Sequence, residues 1–266
     1  MPRIYVNQTE LYYEEHGQGT ETLLFAHGLL WSSRMFADQI AIFKDRYRVI
    51  AYDHRGQGQS AVAAGGYDMD TLTGDALALL DALKIDRCHF AGLSMGGFIG
   101  LRLASRHPGR VKSLILMDTS AQAEPEENIP RYRMLNRIVK MLGVWAVKRP
   151  VMKIMFGPSF LADPERLMLR KKWEKELVRN NRNITRAVEG VIEREAVPPG
   201  ALADIQCPTL VLVGAEDVAT VPAKSEYLTE HIPNAQLRII PRAGHTSSVE
   251  EPEAVCEAMA AFLDEQ

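Results

Sequence analysis

The run His89-Phe90-Ala91-Gly92-Leu93-Ser94-Met95-Gly96-Gly97-Phe98 decides the fold. Apolar residues lead into a serine flanked by glycines, and a helix from Met95 to about Arg106 is expected to follow. Gly92-Leu93-Ser94-Met95-Gly96 is a G-x-S-x-G pentapeptide. A serine that attacks must project its hydroxyl clear of the strand it leaves and the helix it enters. That requires a tight turn with the serine in a sparsely populated backbone region. Side chains two residues to either side would collide there, so glycine at 92 and 96 is what the geometry demands. The helix start aims free N–H groups and its dipole at the serine, which favours negative charge at that spot. Read without chemistry, the same run is only a glycine-rich helix start. The strand before it and the helix after it favour the nucleophile turn.

Working outward, strands and helices alternate. Residues 3–6 and 9–15 are β-rich runs around Asn7-Gln8. They predict an antiparallel hairpin at a sheet edge, closed by Gly17 and Gly19. Thr22 to Ala26 and Arg48 to Tyr52 are continuous apolar runs, as expected of strands buried on both faces. Arg87 to Ala91 and Val111 to Met117 are two more strands. Helices are expected over 32–44 and 71–83, the second with Leu72, Ala76, Leu79, Leu80 and Leu83 on one face. This alternation predicts a mostly parallel sheet with helices on both faces.

The rhythm breaks after Met117. From about Ala121 to Val197 no strand-like run occurs. Helical segments are expected near 130–142, 144–155, 164–180 and 183–195, punctuated by Pro150, Gly157-Pro158 and Asp163-Pro164. Strands resume at Thr209–Gly214 and Gln236–Ile240, with helices over about 222–231 and 252–264. The expected organisation is a core of residues 1–120 and 198–266, with 121–197 inserted as a helical cap.

At 266 residues with 46% hydrophobic content, the chain suits one α/β domain with an insertion. A chain of this size buries roughly three quarters of its unfolded surface. A net charge of −3 and a pI near 6.2 give no nucleic-acid signature. Residues 121–200 nevertheless carry a net +6, leaving −9 on the remainder, and Arg131 to Lys153 holds seven basic residues and no acidic one. That run reads as a solvated helix face, or else as a surface attracting anionic substrates or lipid headgroups. Cys88, Cys207 and Cys256 are odd in number and lack metal-ligand spacing, so reduced thiols are expected. No secretory leader and no 18-residue apolar run is visible. The expectation is a cytoplasmic protein without stable membrane insertion.

A serine hydroxyl is a poor nucleophile until a base, usually histidine oriented by a carboxylate, takes its proton. Of seven histidines, His245 in Gly244-His245-Thr246 lies just past the last strand, at its carboxyl end. Ser94 is at such an end too, and sites form there in open α/β sheets. His16, His89, His107 and His231 read as surface or structural residues. For the carboxylate, Asp217 and Asp118 both follow strands and both keep the order Ser…Asp…His. Asp217, in a polar turn closed by Val221-Pro222, is favoured, and Glu216 is a third option. An oxyanion needs two N–H donors. The backbone of Met95 supplies one, and Leu29, in the loop after the strand at 22–26, is the natural second. His27 could be a further base, but it reads as shaping that turn with Gly28.

Phe25-Ala26-His27-Gly28, the turn Asp53-x-Arg55-Gly56-x-Gly58-x-Ser60, Gly92-x-Ser94-x-Gly96-Gly97, the late Asp217 and Gly244-His245 together resemble the α/β-hydrolase superfamily. The resemblance spans the chain and implies an eight-stranded sheet with the helical cap after the sixth strand. The surroundings of Ser94 and His245 are similar to those of 3-oxoadipate enol-lactonases and small-molecule carboxylesterases, which are cofactor-free. Relatives with an aspartate nucleophile, the epoxide hydrolases and haloalkane dehalogenases, are set aside by Ser94. The perhydrolase branch has proline where Leu30 stands.

The activity implied is hydrolysis of a small, largely apolar ester or lactone through an acyl-enzyme, with no cofactor and no metal. The catalytic set is Ser94, Asp217 and His245. Leu30, Trp31 and Val218 are expected pocket walls from the core, and Trp145, Met152, Met155 and Phe156 from the cap. A C–C bond hydrolase acting on ring-cleavage products is the alternative within enzymes, and a ligand-binding receptor on this fold is the alternative outside them. Self-association into a homodimer stays open.

Overall fold

In a computed structural model describing residues 2–266, eight strands form one sheet. They are β1 (Arg3–Val6), β2 (Thr9–His16), β3 (Thr22–Ala26), β4 (Arg48–Tyr52), β5 (Cys88–Leu93), β6 (Val111–Met117), β7 (Thr209–Gly214) and β8 (Ala235–Ile240). Their order is β1-β2-β4-β3-β5-β6-β7-β8. β1–β2 and β2–β4 are antiparallel, and every other pairing is parallel. In the hairpin, Asn7 and Gln8 both take positive φ, 44° and 62°. That is the tight turn whose twist matches paired strands. Gly17 and Gly19 do something other than close it. A Cβ on either would lie 2.1 Å from a carbonyl oxygen, of Lys44 and Arg46 respectively, so they admit the backbone that leads into β4.

Alternation along the strands divides the core. Leu23 and Phe25 of β3 join one apolar layer, while Leu24 and Ala26 join the other. The first layer is covered by α1 (Ala37–Phe43) and α12 (Pro252–Leu263), and the second by α2 (Met69–Ala82), α3 (Met95–Arg106) and α10 (Pro222–His231). A short α11 (Ser247–Glu250) precedes α12.

Between β6 and β7 lie α4 (Ile129–Leu142), α5 (Lys148–Met155), α6 (Pro158–Ala162), α7 (Leu167–Arg179) and α8 (Ile184–Ile192), then α9 (Pro199–Ala203). The segment returns to its own start, with Val197 N–H donating to Ala121 O at 2.7 Å. Its buried residues, Val139 to Ala187, merge with the layer under α1 and α12 rather than forming a second core. The helix expected over 144–155 is split. Val144–Val147 is a 3-10 turn and α5 starts at Lys148, with Pro150 in its first turn, where a missing N–H costs nothing. No helix among the described residues is long and apolar enough to cross a membrane.

Candidate active site

Ser94 sits between β5 and α3 at φ 50° and ψ −109°, outside the usual regions for a side-chain-bearing residue. Its neighbours have no room for side chains. A Cβ on Gly92 would lie 2.3 Å from Gly96 O, and one on Gly96 would lie 2.0 Å from Ala26 O. The turn is pinned by Ser94 N–H donating to Met117 O at 2.8 Å and by the Thr119 hydroxyl donating to Ser94 O at 2.8 Å.

The chain brings Ser94, His245 and Asp217 into one hydrogen-bonded line. Ser94 Oγ is 2.8 Å from His245 Nε2, and His245 Nδ1 is 2.8 Å from Asp217 Oδ2. The carboxylate fixes the tautomer: Nδ1–H donates to Asp217, so Nε2 accepts from the serine hydroxyl. Asp217 is held in turn. Oδ1 accepts from the N–H groups of Ala219 and Thr220, at 2.8 and 2.9 Å, and Oδ2 accepts from the Thr220 hydroxyl at 2.7 Å. Burial would push its carboxyl up, but the His245 ring and these donors hold it below the ordinary value. Burial likewise opposes charge on His245, yet the adjacent Asp217 carboxylate keeps its pKa above 6.5.

The other candidate carboxylates point elsewhere. Asp118, at φ 46°, accepts from Gly214 N–H at 2.8 Å and, through Oδ2, from the Ser247 hydroxyl at 2.5 Å. It braces the loops that carry Asp217 and His245, and burial followed by the charge of Asp217 raises its pKa to about 7. Glu216 accepts from the N–H and hydroxyl of Ser159, so it fastens the insertion to the sheet. Glu250 does the same from the other side, accepting from Gly157 N–H at 2.8 Å and Thr246 N–H at 3.1 Å.

His27 is buried and fully engaged. Nδ1 donates to Gly28 O at 2.7 Å, Nε2 accepts from His54 N–H at 3.0 Å, and burial drives its pKa down to about 4. It shapes the loop before Leu29. Gln57 holds the same loop, accepting from Leu30 N–H at 2.9 Å, while Asn180 of the insertion donates to Leu30 O at 2.8 Å. These bonds fix Leu30 at φ 74°. The N–H groups of Leu29 and Met95 meet no protein acceptor among the described residues. Nor does any group of three His, Cys, Asp or Glu there sit as a metal cluster.

A family profile for the alpha/beta hydrolase fold matches residues 21–252. The chain belongs to the α/β-hydrolase family. It is similar to 3-oxoadipate enol-lactonase 2 of Acinetobacter baylyi, 32% identical over 255 residues, 95% of this chain and 92% of that protein. It is also 32% identical to RutD of Azorhizobium caulinodans, provisionally named a carbamate hydrolase, across 100% of this chain and 99% of that one. Among solved structures, a thermophilic esterase of Thermogutta terrifontis superposes with a TM-score of 0.91 at 28% identity, covering 100% of this chain and 99% of that one.

In this α/β hydrolase, Ser94 and His245 open onto a cavity of about 140 Å³ under the insertion. Of the expected walls, Leu30 and Met155 line it. The others lie elsewhere. Trp31 and Phe156 are buried edge to face, with Trp31 also against Trp173 at 5.2 Å, so they bond the insertion to the core. Met152 is buried in the same layer. Trp145 and Val218 face solvent, 65% and 60% exposed. Beside Met155, the insertion lines the cavity largely with aliphatic residues, among them Leu135, Val139, Val144, Val147, Val151 and Ile154, and with the Tyr132 ring. The spacing of Leu135 and Val139, i and i+4 on α4, was the available signal. Phe98 of α3 and the pair Glu124–Arg194 also line it, and no motif in the sequence marks them.

Proposed function

We propose that this chain hydrolyses small, largely apolar carboxylic esters or lactones through an acyl-enzyme on Ser94. The observation that carries the reading is the unbroken line Asp217–His245–Ser94 ending in an apolar cavity. Ser94 Oγ attacks the carbonyl while His245 Nε2 takes its proton, and Asp217 steadies the resulting imidazolium. Leu29 and Met95 N–H groups, otherwise unspent, receive the oxyanion, with the α3 dipole adding to them. His245 then returns the proton to the leaving oxygen, and finally activates water to release the acid. Leu30 and Met155 belong to the acyl wall. The insertion 121–197 acts as the lid, excluding water and setting acyl size. The cavity matches the roughly 150 Å³ that holds a benzene ring in an engineered core, so the acyl group is short. Support for esters and lactones also comes from the enol-lactonase and esterase among the similar proteins. The test is a stopped-flow reaction with 4-nitrophenyl butyrate beside a set of simple lactones. A burst of nitrophenol equal to the enzyme concentration, or slow-deacylating turnover of the same kind, supports the reading. No turnover of any ester or lactone refutes it.

A further inference from the structure

Resting on the reading of Ser94 as an acylating serine, we infer that the cavity admits only uncharged acyl groups, and that the Glu124–Arg194 ion pair enforces this. Arg194 is the one arginine or lysine among the residues lining the cavity. A free guanidinium there would hold a substrate bearing a second carboxylate, through paired N–H donors. This one is engaged at Nε and Nη1, with Nη2 alone making no hydrogen bond to protein among the described residues. Its Nη1 donates to Glu124 Oε2 at 2.8 Å and to Val191 O at 2.8 Å, and its Nε donates to Gln122 O at 3.1 Å. The guanidinium also lies over the Phe98 ring, 4.5 Å from its centroid. Both partners are withdrawn from water, at 2% and 7% side-chain exposure. Glu124 is fixed from the other side by the Asn128 amide at 3.0 Å.

Screening by solvent is weak at such a pair, so the positive charge is cancelled locally and a passing anion meets a neutral wall. Apart from Phe98, the catalytic Ser94 and His245, and the neutral polar side chains of Tyr132, Asn136 and Thr220, the rest of that wall is aliphatic, so a carboxylate entering it would give up its hydration for few neutral contacts. The pair therefore turns an otherwise anion-ready arginine into a filter. It takes the substrate class away from esters and lactones of dicarboxylic acids that keep one free carboxylate, and toward neutral aliphatic ones.

The experiment uses 4-nitrophenyl hemiglutarate and its methyl ester, which differ chiefly in charge, with nitrophenol release followed at low salt. For wild type the expected ratio of kcat/KM is roughly a hundredfold or more in favour of the neutral ester, given the cost of stripping water from an unpaired charge. Glu124→Gln frees the guanidinium and should narrow that ratio at least tenfold, mainly by lowering KM for the anionic ester. The double change Glu124→Gln with Arg194→Met removes both charges and should restore the wild-type ratio, which keeps the proposal testable should the single variant fail to fold. Comparable rates on both esters in wild type would overturn the filter while leaving the Ser94 reading standing. So would a double variant that loses anionic turnover wild type possesses. Turnover of neither ester would sink the Ser94 reading, and the filter with it.

Discussion

Asp118 and Asp217 are both buried beside His245, yet only Asp217 reaches the imidazole. Its Oδ2 is 2.8 Å from Nδ1, while the oxygens of Asp118 are taken by Gly214 and Ser247. Asp217→Asn should therefore lose several orders of magnitude in kcat, because an amide favours the wrong imidazole tautomer, a change worth about 10⁴ in a serine protease. Asp118→Asn should lose far less. Steady-state kinetics on one neutral ester checks the ranking, and the reverse order would move the orienting acid to β6.

The pH profile follows from the same pair of charges. His245 acts as base when neutral, and the adjacent Asp217 carboxylate holds its pKa above 6.5. Activity should fall as pH drops through that raised value, so the acid limb of kcat/KM should have its midpoint above 6.5. Asp118 also favours the imidazolium from a distance. Asp118→Asn should accordingly shift the limb to lower pH. A profile flat from about pH 5 to 8 would speak against a histidine base, whose unperturbed value lies near 6.5.

Acyl-chain preference should respond to the residues of the insertion that line the cavity and not to those that face solvent. Val147→Phe fills part of a cavity of about 140 Å³ and should shift the preferred ester to a shorter chain. Each methylene refused is worth about 1 to 3 kcal/mol. Trp145→Ala should leave the profile unchanged, since that ring is 65% exposed. A chain-length series of 4-nitrophenyl esters on both variants decides it, and an unmoved profile for Val147→Phe would remove the cavity from the acyl site.

Salt dependence separates the two readings of the basic run. Arg133 is paired with Glu189 and Glu193, and Lys148 with Glu174, while the remaining cations of Arg131–Lys153 face solvent. For neutral esters, kcat/KM should be level from low to moderate ionic strength, because there is no substrate charge to screen. If that face steers anionic substrates, kcat/KM for an anionic ester should instead fall steeply with salt, and equal salt dependence for both esters would return the run to a solvated face.

Much of this was legible in the sequence because the constraints are local. The glycines at 92 and 96 are required by contacts of 2.3 and 2.0 Å, so the pentapeptide forecasts the strained serine directly. The apolar runs of β3 and β4 read as doubly buried strands, and every residue of them except Arg48 is buried. The cavity was not legible, since whether Val147 faces it or Trp145 faces solvent depends on how the helices of the insertion roll onto the sheet. Short elements were missed for a related reason. α6 starts at a proline that reads equally as a break, and its place is set by distant partners, Glu216 and Glu250. Asp118 and Glu124 likewise take their roles from residues far along the chain.

The central claim is that Ser94 carries the acyl group. A fluorophosphonate probe followed by intact-mass and peptide mass spectrometry tests it most directly. Wild type should gain one adduct, located on the peptide containing Ser94, with parallel loss of ester turnover. Ser94→Ala should fold, take no adduct, and fall in kcat by roughly 10⁵ to 10⁶, as nucleophile loss does in subtilisin. An adduct on any other residue, or near-wild-type turnover by Ser94→Ala, would contradict the account.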